Sequence, residues 1–540
     1  MVWHGCQPGA LSSPKLRRVD RGVCARAAPR CVEQHREGAS MRPVFRQHRL
    51  ELRRLLHVAA PIMMSSMFNF LMTLVDLYFV GSLGKEPLAA ATVGNVWFNT
   101  LLYPILGCAT ALDTLLAQSH GAGQPDAYAR WTQVGLLVLG LLCVPFMIML
   151  ALTEPILLAT GMNATLAANA AEFDGELILG VVPFVLFTAL TKYLQSQGIL
   201  YPSVAIAAVA NVFNGLTNYL LIEACGLGLR GAPLATSLCR WAQLAIMLVY
   251  LRLARERLAP TLPRLWIKWR EMPSGAARFL RLGGPGALML GLEAWAFEVS
   301  TFLAAFLGTV ALDAHSILMN LIAFSFMSGP FSLGIAASLR VGQLVGAGET
   351  SAARATARVT IAFILGYMGL TSAFLIGSHS WIGLLFTADV HVVAQVASLV
   401  GVAALFQFAD GTQAAIGGIL RGLGRQRTVA ALNLAGFWLI GLPVGASLTF
   451  GAHLGVIGLW WGLATGLTAV ATVGVPLLAK IDWATEARAA LARVGHVSGG
   501  GGGGGGGGDG GDGDSGGGGG GGGGLASADA QREQAELDTL

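Results

Sequence analysis

The feature that most limits this chain is a recurring apolar stretch of about twenty residues, the length a helix needs to cross a hydrocarbon layer. Charge-free examples are Leu88–Leu112, Trp131–Thr153, Ser203–Ile222, Thr428–Phe450 and Leu454–Ala479. Others carry at most two charges: Leu55–Leu83, Leu177–Leu194, Gly231–Leu251, Leu282–Leu307, Ala314–Leu339, Val359–Gly377 and Val392–Leu420. Together they predict twelve spanning helices. The runs are too long for barrel strands, which need about 9–11 residues, and they do not alternate. Composition agrees: 54% of the 540 residues are hydrophobic and only 12% charged, against about 25% charged in a soluble chain. A cytosolic enzyme or a nucleic-acid partner is excluded on those grounds, and a net charge of +5 does not argue otherwise.

Lys and Arg orient the helices. With the N-terminus cytoplasmic, the inside segments hold 31 basic residues and the outside loops only Lys85 and Arg230, a strong positive-inside bias. Both termini are therefore expected in the cytoplasm. The seven cysteines form no CxxC and no cluster with histidine, so no metal or redox centre is expected.

A basic stretch, Arg252 to Arg281, divides the spans into two sets of six. Three landmarks recur across it. Gln118–Gly123 matches Gln343–Gly348 at an offset of 225, Gln197-Gly198 matches Leu423-Gly424 at 226, and Gly228–Gly231 matches Gly455–Gly458 at 227. Six spans per lobe put both lobes in the membrane the same way round, related by an axis along the membrane normal. The fold expected is all-α: two six-helix bundles related by an internal pseudo-twofold, enclosing a cleft. The divisions are a basic leader or organellar transit peptide over 1–54, an N-lobe over 55–254, a cytoplasmic linker over 255–279, a C-lobe over 280–480 and a tail over 481–540. Met41 is an alternative start. Gly499–Gly524 holds 22 of the 73 glycines and is expected to be a disordered linker.

Ionised groups within a bilayer cost at least about 2.5–3.5 kcal/mol, so they mark function by default. Here they are Asp76 in span one, Glu293 and Glu298 in span seven, Asp410 in span ten and Arg240 in span six. Four acids against one arginine leaves acids without a fixed partner, able to exchange protons or hold a monovalent cation. The competing reading of each is a hydrogen bond that locks helix packing. Asp113 and Asp313 fall near helix ends, where water makes them cheaper. Glu293 and Glu298 are about 140° apart around a helix, which places one centrally and the other laterally. Gly283-Gly284-Pro285-Gly286 predicts a bent or broken helix beside them. Asn163-Ala164-Thr165 is a sequon in an external loop, close to a helix end. No nucleotide-binding motif is present.

Several segments resemble the multidrug and toxic compound extrusion (MATE) family, in its eukaryotic, plant DETOXIFICATION-like branch: LDTLLAQSHGAGQ at 112–124, YLQSQGILYP at 193–202, GGPGALMLGLEAWAFE at 283–298, ASLRVGQLVGAG at 337–348 and GGILRGLGRQ at 417–426. The resemblance covers about residues 55–480. It implies a twelve-helix, non-enzymatic antiporter exporting small organic, cationic or xenobiotic compounds in exchange for H⁺ or Na⁺. It implies a second-lobe site at Glu293 and Asp410, with Glu298 as the second span-seven glutamate and Asp76 as the span-one aspartate of prokaryotic members. Asn320 stands where some animal members have a glutamate, and Asn214 is followed by Asn218 where some prokaryotic members have aspartate. Trp295, Asn320, Asn214, Asn218 and Gln413 are the cavity candidates, and Trp97, Phe98, Tyr103 and Phe297 further aromatic ones. Arg340 and Arg421 are read as anchors of the cytoplasmic face. The expectations are no cofactor beyond the coupling ion, a small-molecule substrate, the lipid bilayer as partner, no nucleic acid and a monomer. The plasma, vacuolar and plastid membranes are the candidate locations. A lipid or lipid-linked glycan flippase on a related two-lobe frame is the alternative.

Overall fold

The computed structural model describes residues 41–262 and 271–495. It divides into two compact units, Met1–Leu50 and Glu51–Leu540. Of the first, Met41–Leu50 is described and is helical. The leader before Met41, the glycine tract and most of the tail lie outside the described residues. Among those described there is no strand.

Among the described residues, eleven helices and one broken pair are long and apolar enough to span a membrane. Span one belongs to helix Met41–Ser82, and spans two and three are Lys85–Gly121 and Pro125–Ala151. Span four is the broken one: Ala164–Ile178 and Val181–Gln195 meet at 50°. Spans five and six are Tyr201–Ala224 and Gly228–Leu253; seven to ten are Met272–Ala305, Thr309–Gly346, Thr350–Gly377 and Val390–Gly422; eleven and twelve are Gln426–Gly451 and Val456–Ala479. Many large apolar side chains face outward, among them Leu141, Val212, Leu370 and Leu439. In a soluble protein such a surface would drive association, whereas a bilayer solvates it.

Two local expectations are corrected. Span four begins at Ala164, not Leu177. Asn163 is its N-cap, accepting from the Thr165 and Leu166 amides, so the sequon forms a helix start and the break falls at Leu179-Gly180. Span seven is continuous through Pro285. Its glycines serve close packing instead of a break. A Cβ on Gly286 would strike the Gly107 carbonyl of span two, and one on Gly283 would press on the Cys108 sulfur. Small residues let two backbones touch where lipid supplies no hydrophobic drive.

The repeat is written in the turns. Positive φ occurs at Gly84 and Gly308, Gly123 and Gly348, Gly198 and Gly424, Gly226 and His453, and Gly228 and Gly455. These five pairs have offsets of 224 to 227 and include the three landmarks found in sequence. His453, a non-glycine residue with φ of 55°, stands where the first half has Gly226. Among the described residues only Gly161 has positive φ without a counterpart. Each left-handed turn restarts a helix at the same place in either half, where an L side chain would be strained.

The halves also meet where spans two, eight and ten end. A Cβ on Gly121 would collide with the Gln343 carbonyl, and one on Gly346 with the Gln118 carbonyl. That reciprocity is the signature of a two-fold contact. Thr114 donates to the Arg421 carbonyl at 2.6 Å, Gln118 to the Gly422 carbonyl at 2.9 Å and Gln343 to the Ser196 carbonyl at 3.0 Å. A helix within the expected tail, Trp483–Gly495, buries Trp483, Ala487, Ala490 and Val494 at this end. Its Arg493 donates to Gln118 of the first half at 2.8 Å and to the Leu423 carbonyl of the second at 2.9 Å.

Candidate functional site

A cavity of about 750 Å³ opens between the halves, walled by residues of both. Phe187, Phe297, Phe326 and Phe406 give it apolar sides. Four carboxylates line it, Asp113, Glu293, Glu298 and Asp410, with two cations, Lys192 and Arg421.

The second-half acids sit on spans seven and ten. Glu293 Oε2 accepts from the Gln413 amide at 2.9 Å and the Asn433 amide at 3.2 Å. Asn433 also donates to the Met289 carbonyl at 3.0 Å, and Gln413 to the Asn433 side-chain oxygen at 3.2 Å. The two amides thereby fix one carboxylate oxygen between spans ten and eleven. Asp410 is buried and has no hydrogen-bond partner among the described residues. Glu298 likewise has none. Both span-seven glutamates line the cavity, contrary to the central-and-lateral expectation. Five residues also separate them by about 7.5 Å along the axis, and a long cavity takes both flanks of one helix.

The first-half acid is placed differently. Asp76 is not part of the cavity wall. Its Oδ1 accepts from Asn214 at 3.0 Å and Asn218 at 2.8 Å, and its Oδ2 from the Thr236 hydroxyl at 2.8 Å. Thr236 lies one turn before Arg240. The Arg240 guanidinium lies between the Phe98 and Phe184 rings, 4.8 Å from each centroid, with Nε and Nη1 buried and unpartnered. Cation–π contact with both rings offsets part of its desolvation.

Of the cavity candidates, Asn320 lines the space, donating to the Ser316 carbonyl at 2.9 Å. Asn214 and Asn218 face Asp76 instead, and Gln413 stands behind Glu293. Trp295 donates its indole N–H to the Thr100 carbonyl at 2.9 Å and ties span seven to span two. The indole needs a partner when buried, and the neighbouring backbone supplies it. Tyr103 and Phe297 line the cavity, whereas Trp97 and Phe98 do not.

Asp113 was expected to be wet near a helix end. It is buried and held by Lys192 Nζ at 2.7 and 2.8 Å. Lys192 counted toward the cytoplasmic charge, yet the break in span four turns that helix so its lysine reaches span two. Arg421 also lines the cavity in place of a surface position. Arg340 does anchor an end of the frame, paired with Glu51 at 3.2 Å. Asn433 and Thr236 join the site without a charge or a motif to mark them in sequence. Polarity inside a charge-free run was the available signal.

Asp174 is a buried acid that sequence had placed in a loop. It accepts from Thr153 at 3.1 Å, and its second oxygen has no partner.

The MatE family model matches residues 61–220 and 285–447, one segment in each half. The chain is 33% identical to mouse (Mus musculus) multidrug and toxin extrusion protein 1, over 80% of this chain and 76% of that one. It is 31% identical to Arabidopsis thaliana protein DETOXIFICATION 16, over 82% and 91%. Its fold is similar to the crystal structure of the eukaryotic MATE transporter AtDTX14, with a TM-score of 0.79, 26% identity, and coverage of 83% of this chain and all of that one. The Vibrio cholerae MATE transporter VcmN, 18% identical, shares the fold with a TM-score of 0.72 over 81% of this chain and 99% of that one. Two matched halves, a twelve-span frame and a cavity between them place this chain in the MATE family of multi-pass membrane transporters that carry out multidrug and toxin extrusion.

Proposed function

We propose that the protein is a secondary antiporter that exports small organic cations in exchange for H⁺ or Na⁺ by alternating access. The observation that carries this reading is the trio Glu293, Glu298 and Asp410, which lines an apolar cavity without an ion-paired base among the described residues. Phe297 and Tyr103 add π-faces for a cationic ligand.

The cycle follows from charge. If the N-terminus is cytoplasmic, the end closed by Gly121, Gln343 and Arg493 is cytoplasmic and the cavity faces outward. An ion entering from outside neutralises Glu293 and Asp410, and the organic cation loses its counter-charge and leaves. With charge removed, the cavity closes at lower desolvation cost and the halves rock to the opposite state. Release of the ion to the cytoplasm restores the carboxylates for the next cation. Ion and substrate compete for one set of acids, so each binds the two states unequally, as a driven transition requires.

Asp76 has both oxygens taken by three donors, which supports assigning the exchange to the second half. A lipid or glycan flippase would need a cavity rich in bases, and this one holds four acids and two bases.

The test is transport of a quaternary ammonium probe from proteoliposomes under an imposed pH or Na⁺ gradient. Efflux should follow the gradient of the coupling ion and collapse in the Glu293→Gln, Asp410→Asn double variant. Undiminished gradient-driven efflux in that variant would sink the mechanism.

A further inference from the structure

Of the two cations in the cavity wall, one has no acid bound to it among the described residues. Arg421, at the end of span ten, is only 7% exposed and lines the cavity. Among the described residues it forms no ion pair, and the acceptor its side chain meets is the Met289 thioether, 3.9 Å from Nη1. Asp113 and Glu293 lie within its electrostatic reach. Asp113 is already chelated by Lys192, and Glu293 is held by two amides. Gly334 and Gly417 shape the space beside the guanidinium: a Cβ would come within 3.4 Å of Nη2 from the first and 3.5 Å of Nη1 from the second. A guanidinium carries five donors in a fixed fork. Burying it against one thioether is costly unless a ligand supplies oxygens.

We propose that this end of the cavity is a carboxylate-binding subsite, with Arg421 as its fork. The ligands it selects are zwitterions whose amine or quaternary nitrogen faces Glu293, Glu298 and Asp410 while the carboxylate lies on Arg421. The proposal rests on the exporter reading above and narrows its substrate class. The physical case is a matter of charge distribution. A lone carboxylate in this cavity meets four acids, whereas a zwitterion presents opposite charges to both ends. Arginine suits the second end because its planar fork matches a carboxylate with two parallel bonds. A cavity of about 750 Å³ falls within the range of drug-sized ligand sites.

The test uses two probes differing in one group. N-methylnicotinate and N-methylnicotinamide share a ring and a quaternary nitrogen, and differ in carboxylate against carboxamide. Binding of each to the purified full-length protein is measured by calorimetry. Wild-type protein should bind the carboxylate at least as tightly as the amide. Arg421→Gln should shift the ratio against the carboxylate by about tenfold, and Arg421→Lys should restore part of it. If Arg421→Gln does not fold, Arg421→Lys alone should shift the same ratio against the carboxylate by about threefold. The proposal is overturned if wild-type protein favours the amide tenfold, if it binds neither probe, or if the variants leave the ratio unmoved. An unmoved ratio with gradient-driven amide efflux intact removes the subsite and leaves the antiporter. Loss of gradient dependence for both probes removes the antiporter reading itself.

Discussion

The two halves of this protein are built on one pattern of turns but treat their buried carboxylates in opposite ways. In the first half Asp76 is drawn out of the cavity and saturated by Asn214, Asn218 and Thr236. Asp113 faces the cavity but is closed by Lys192. In the second half Glu293 has amides on one oxygen only, and Asp410 and Glu298 have no donors among the described residues. A carboxylate with donors on both oxygens gains less from a proton or a cation than one left bare in an apolar wall. A shared fold therefore does not impose shared chemistry. The side chains that other spans pack against each acid decide it.

The sharpest way to break this comparison is to neutralise one half at a time. Glu293→Gln with Asp410→Asn should reduce gradient-driven efflux by about a hundredfold or more, while Asp76→Asn should cost about threefold. Equal losses, read as initial rates in proteoliposomes, would mean both halves carry the coupling ion. The charge in Asp113 is next. Asp113→Asn strands a buried lysine and should destabilise the fold by about 3–5 kcal/mol. Replacing the pair together, Asp113→Asn with Lys192→Met, should recover most of that loss in thermal unfolding followed in detergent. No recovery would make Asp113 more than a partner for Lys192.

Gly121→Ala and Gly346→Ala probe what the halves do share. Each puts a methyl where the opposite half's carbonyl lies, and each should favour opening of this end by about 1–3 kcal/mol. Thiol labelling of a cysteine placed at the closed end reads the shift, and a marked difference between the two would show the closure to be unsymmetrical. The smallest effect is expected from Arg493→Gln, which removes a strap that the tail alone supplies. Losing its charge-assisted bonds to Gln118 and the Leu423 carbonyl should shift the same labelling by about 1–2 kcal/mol in the same direction. Its failure to move would mean that the glycine contacts suffice for closure.

Much of the frame was legible in sequence because bilayer constraints act locally. Each span must satisfy its own backbone and present about twenty apolar residues, so composition marks it wherever it packs. The exceptions follow from the same logic. Span four was cut short because Glu172, Asp174 and Glu176 lie on its first segment, and the run-length criterion treats charge as loop. Asp174 is nevertheless buried there, with Thr153 as its donor. The glycines of span seven read as a break because glycine and proline signal one locally, and only the facing Gly107 reveals a crossing.

The site divides along the same line. Residue type alone marked Glu293, Glu298, Asp410 and Asp76, since an ionisable group in an apolar run is conspicuous by its cost. Sequence could not say which of them share a cavity, which are satisfied, or that Lys192 and Arg421 face inward, because each answer depends on contacts between distant spans. The turns illustrate both sides. Glycine spacing gave three of the repeat's landmarks, yet the pairing of Gly226 with His453 appears only in backbone angles. The chain by itself determined twelve helices, a duplicated frame and a set of costly acids. The tertiary structure decided which acids are left without donors, because a carboxylate's partners are packed against it from other spans.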